Sequence, residues 1–70
     1  MTAPETELEM VKRHVSEGER HVANQRQILA HFRKHGYPTD LAEKLLGTLE
    51  ELLAMHREHL ARLESEGLTG

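Results

Sequence analysis

Seventy residues that are 37% hydrophobic and 30% charged, with no cysteine or tryptophan, one tyrosine and one phenylalanine, leave room for a single domain. The lack of cysteine excludes disulfides and thiolate metal sites, and β-sheet and aromatic stacking platforms are poorly supplied. A net charge of −3 gives no whole-chain attraction for phosphate backbones or anionic lipid, so neither nucleic acid nor a membrane is an expected partner.

Met1-Thr2-Ala3-Pro4-Glu5 is acidic and polar, unlike a targeting peptide, and no apolar run reaches bilayer length. A cytoplasmic chain is therefore expected. The first helix is expected over about 4–35. Thr2 and Glu5 have capping-box spacing, Pro4 suits a first turn, and Glu5, Glu7 and Glu9 place negative charge at the positive end of the dipole. Leu8, Val11, Val15, Gly18, Val22, Gln25, Leu29 and Phe32 follow alternating steps of three and four, a heptad seam. His14, His21, Ile28 and His35 flank that seam, and Glu9 with Arg13 makes a favourable pair one turn apart.

A turn is expected over 36–39. Gly36 can take the left-handed conformation that closes a helix, and Tyr37 would then lie over Phe32 in a Schellman cap. Pro38 blocks continuation, and either Thr39 or Asp40 caps the next helix, with Asp40 and Glu43 at box spacing. The second helix is expected over about 40–66, stopping at Gly67, with Leu68-Thr69-Gly70 frayed. Its apolar stripe reads Leu45, Leu49, Leu52, His56, Leu60 and Leu63, and Leu46 and Leu53 widen it. Gly47 interrupts this helix, through close packing or simple tolerance.

The short connection makes the helices antiparallel neighbours, an all-α hairpin with helices roughly 45 and 40 Å long. Folding at residue 37 sets Leu29 level with Leu45, Val22 with Leu52, Gly18 with His56, Val15 with His59 and Val11 with Leu63. One companion helix cannot cover so broad a leucine face. Two hairpins can, which predicts a homodimeric four-helix bundle; an adaptor that docks another protein on the same face is the rival.

Six histidines are the unusual count. His56 and His59 share one side of the second helix, and the expected register brings His14 and His21 to their height, with Glu17 and Glu58 nearby. Imidazoles converging from facing helices can hold zinc or a similar transition metal, making these four the candidate ligands. The diiron Glu-x-x-His motif and HExxH are absent, so His56 and Gln25 are also read as polar layers that fix register. A third option is that histidines protonating towards pH 6 loosen an interface. The stretch from Arg26 to His35 is basic, but a helix C-terminus carries such charge for its dipole alone. Ser16 and Ser65 have no Gly-rich elbow, and a thin hairpin offers no enclosed pocket, so no catalytic activity is expected.

The segments HVSEGERHVANQRQIL and HGYPTDLAEKLLGTLEELLAMHREHLARL resemble small uncharacterised helical-hairpin proteins of α-proteobacteria. The resemblance runs from Val11 to Leu63. It implies a bacterial cytoplasmic origin and a two-helix architecture, and no activity, ligand or partner.

Overall fold

The computed structural model describes residues 4–69, with the side chains of residues 4–67. Two helices, α1 (Glu7–His35) and α2 (Asp40–Thr69), pack against each other as a hairpin measuring 53 × 30 × 14 Å.

Helix α1 starts at Glu7 rather than near residue 4. Its N-cap is Thr6, whose hydroxyl accepts from the Glu9 amide at 3.1 Å and donates to the Glu9 carboxylate at 3.1 Å. Thr6-Glu7-Leu8-Glu9 repeats the spacing of Thr2-Ala3-Pro4-Glu5, but only the second box directly adjoins the apolar residues that need a helix. Thr2 lies outside the described residues. Glu5, freed from the helix, forks onto Arg13 at 3.0 Å, and Arg13 also reaches Glu17 at 3.0 Å. The expected pairing of Arg13 with Glu9 is therefore replaced, because Glu9 serves the cap.

Gly36, at φ 71°, ends α1. Its amide donates to the Arg33 carbonyl and the Tyr37 amide to the Phe32 carbonyl, the two bonds of a Schellman cap. Tyr37 meets Phe32 edge-on at 5.6 Å. Thr39 opens α2: its carbonyl accepts the Glu43 amide at 2.8 Å and its hydroxyl donates to the Glu43 carboxylate at 3.3 Å. The same carboxylate takes Arg33, which ties the last turn of α1 to the first turn of α2. Gly67 does not stop α2, which continues to Thr69.

The seam along α1 is the heptad row: Val11, Val22, Gln25 and Leu29 are buried, with Val15, Gly18 and Phe32 half-buried and Leu8 at the exposed end. In α2 the seam is turned from the expected stripe. It runs through Ala42, Leu46, Leu49, Leu53, His56, Leu60 and Leu63, in steps of four and three, and Ala42 and Leu53 are its buried members. Leu45 and Leu52 stand beside this row, 48% and 46% exposed.

The register differs by about one turn from a fold centred on residue 37. Gly18 faces Leu53, not His56; a Cβ at Gly18 would lie 3.1 Å from Leu53 Cδ1. Gln25, 7% exposed, donates from Nε2 to the Ala42 carbonyl at 3.1 Å. The missing side chain at Gly18 admits a branched leucine, and a buried amide finds its acceptor at this offset. Those two contacts define the pairing.

Candidate functional site

The hairpin has two unlike flanks. On one, a groove over Val22 and Leu53 is edged by Glu19, Arg26, Glu50 and Arg57. Arg26 reaches Glu50 at 3.3 Å there, and Arg33 reaches Glu43 at 3.2 Å nearer the turn. Both arginines of the basic stretch read near the end of α1 are thus spent on acids of α2. These exposed pairs contribute little stability but keep the flank charged and hydrated.

The opposite flank is built differently. His14, Glu17, Gly18 and His21 of α1 and Leu49, Leu52, Leu53 and His56 of α2 line a groove of about 170 Å³. Ile28 lies one heptad beyond His21, and Leu45 one heptad before Leu52, so the apolar strip continues towards the turn on both helices. Ile28, Leu45, Leu52 and Met55 are all exposed. Within the groove Glu17 is the single fixed charge, and Arg13 partners it.

The four candidate histidines do not converge. His14 and His56 come together across the helices, ring centroids 5.1 Å apart and tilted 52°. His21 lies two turns along α1, roughly 10 Å away at helical rise. His59 is turned to the far end, where Nε2 meets Glu7 at 3.2 Å and links the start of α1 to α2. Glu58 is exposed and lines neither groove of the seam. Among the described residues no group of three or more His, Asp or Glu side chains is placed so that it could hold a metal ion.

A second histidine group, unforeseen as a unit in the sequence, sits at the turn. His31 and His35 are 4.3 Å apart, and Tyr37 stacks on His35 at 5.6 Å and 22°. The i,i+4 spacing of His31 and His35 was the available signal.

Among titratable groups Glu5 is held below the ordinary carboxylate value, first by its hydrogen bond from Arg13 and then by that cation's charge. Arg13, receiving two carboxylates, is pushed further towards its charged form. Both lie at the N-terminal edge, away from Leu45 and Leu52.

With this geometry in hand, no family model matches the chain, and neither a curated protein nor a solved structure matches it. No helix among the described residues is long and apolar enough to cross a membrane.

Proposed function

We propose that this chain is a non-catalytic helical interaction module that works as a homodimer, its leucine-histidine flank pressed against that of a second copy in a four-helix bundle. The observation that carries this is the half-exposure of Leu45 and Leu52 beside Ile28, on a flank that is poor in fixed charge while the opposite flank is edged with arginine and glutamate. An apolar strip of this kind, rimmed by polar groups, is the usual mark of an interface.

A second copy is the favoured occupant for two reasons. The hairpin alone buries only five apolar side chains, Val11, Val22, Leu29, Ala42 and Leu53 among the described residues, too few for a helix pair this long to stand alone. The flank also lacks the fixed charge that would select an oppositely charged partner, whereas a leucine strip suits a second copy of itself. Both grooves are open along one side and exclude little water from the side chains that line them, which favours binding over catalysis.

Sedimentation of the purified chain across a dilution series tests this. The expected mass is twice 8.0 kDa, falling to 8.0 kDa in Leu45→Glu/Leu52→Glu. A mass of 8.0 kDa at every concentration, together with a sharp cooperative melt, would overturn it. A monomer that melts gradually and gains helix only on binding another protein would place the chain as an adaptor instead.

A further inference from the structure

His14 and His56 are half-buried, come from different helices, and face each other at the mouth of one groove. Among the described residues neither ring has a hydrogen-bond partner. Two imidazoles bound to one tetrahedral ion at about 2.0–2.1 Å per Zn–N bond have ring centres roughly 5 Å apart. The observed 5.1 Å matches that spacing. A carboxylate is within one helical turn: Glu17 is three residues from His14 on α1 and lines the same groove. It is held only by Arg13, in an exposed ion pair of the kind that contributes little and exchanges readily. Arg13 keeps a second carboxylate, Glu5, if Glu17 turns away.

We propose that His14 and His56, joined by Glu17 when it turns from Arg13, form a divalent transition-metal site of the zinc type that staples α1 to α2. As placed, only the two imidazoles stand together. Two histidines and a glutamate are an established zinc donor set, leaving the fourth position to water. The set differs from the four histidines expected from the sequence: His21 is too far along α1, and His59 is engaged with Glu7. The His31–His35 pair is the natural competitor. Its ligands belong to one helix, Arg33 and Lys34 crowd it with positive charge, and Tyr37 stacks on one of its rings. An ion there would leave α1 and α2 uncoupled; an ion on His14 and His56 joins them, so binding is linked to folding. The site lies within one chain and does not depend on dimerisation.

The test is zinc titration of the full chain by calorimetry at neutral pH, with a parallel thermal melt and Co²⁺ absorption. Expected are one ion per chain, a zinc-dependent rise in the unfolding midpoint, and the visible bands of tetrahedral Co²⁺. His14→Gln and His56→Gln, which keep side-chain bulk and are checked for unchanged helicity, should each weaken binding by about tenfold or more, the scale on which lost support for a metal ligand is felt. Glu17→Gln should weaken it less, and His31→Gln/His35→Gln should leave both affinity and midpoint shift unchanged. Binding that survives His56→Gln, binding lost only in the His31/His35 variant, or no binding by the wild-type chain would each overturn the proposal.

Discussion

Replacing each interior glycine by alanine asks whether the helices meet where the structure places them. Alanine in a helix interior is favoured over glycine by about 0.8–1.0 kcal/mol. At Gly47 an added Cβ meets nothing within 4 Å, so the whole gain is realised. For a domain of this size that raises the melting midpoint by about 4–8 °C. At Gly18 the same gain is opposed, because the new Cβ would lie 3.1 Å from Leu53 Cδ1 and 3.7 Å from Leu53 Cβ. Leu53 is 5% exposed but lines both grooves, so its end can yield by turning off its rotamer, at a cost of about 0.5–1.5 kcal/mol. Gly18→Ala should then lie between about 0.5 kcal/mol more stable and about 0.7 kcal/mol less stable than the parent, the difference of those two terms. In a Leu53→Ala background the obstruction is gone, and Gly18→Ala should recover close to 1 kcal/mol, a coupling that a double-mutant cycle isolates. Urea and thermal unfolding followed by helical circular dichroism, at one fixed protein concentration, measure the parent and all the variants. Equal stabilisation at Gly18 and Gly47 would refute the contact between Gly18 and Leu53. A destabilising Gly47→Ala would mean that the outer side of α2 is covered.

Gln25→Leu removes the bond to the Ala42 carbonyl but fills the same space with apolar atoms; stability should change by about 1 kcal/mol or less, while amide spectra should broaden as the helices lose their fixed offset. Thr6→Ala should cost about 1 kcal/mol, seen as faster amide exchange over residues 7–10, and unchanged exchange there would refute the cap. Because Arg13 lowers the Glu5 value in the folded chain, the contribution of this pair is fully present above the ordinary 4.5 and is lost as pH falls through the lowered folded value. An NMR titration of the Glu5 carboxyl should give a midpoint below 4.5, moving up to it in Arg13→Ala; a wild-type midpoint at or above 4.5 would refute the fork.

The Schellman cap at Gly36, Tyr37 and Phe32 was legible, since local geometry suffices to assign it. The choice of Thr39 over Asp40 as the next cap was not, since either side chain can cap a helix. The start of α1 was not, because two threonine-glutamate boxes stand in tandem and only the position of the apolar run separates them. The α2 seam escaped for a related reason. Leu45 and Leu52 form one heptad row and Leu46 and Leu53 another, so periodicity alone cannot say which row faces α1. That choice is made by the partner helix, where Gly18 opens a space that Leu53 fills. His14 and His56 met because the same offset carried His56 past Gly18, and no spacing within either helix encodes that. The charges were similar: Arg13 had acids within reach on both sides, and the cap at Thr6 removed one of them.

The unlike flanks described above set a limit on growth. A rod that was adhesive on both long sides could add neighbours without end, each newcomer presenting a fresh surface to the next. Here the side bearing Arg26, Glu50 and Arg57 is charged and hydrated, so in the proposed dimer contact through the leucine side leaves a wet side facing out. If the same strip meets its copy across a two-fold axis, the proposed association closes as a pair and does not propagate into a fibre.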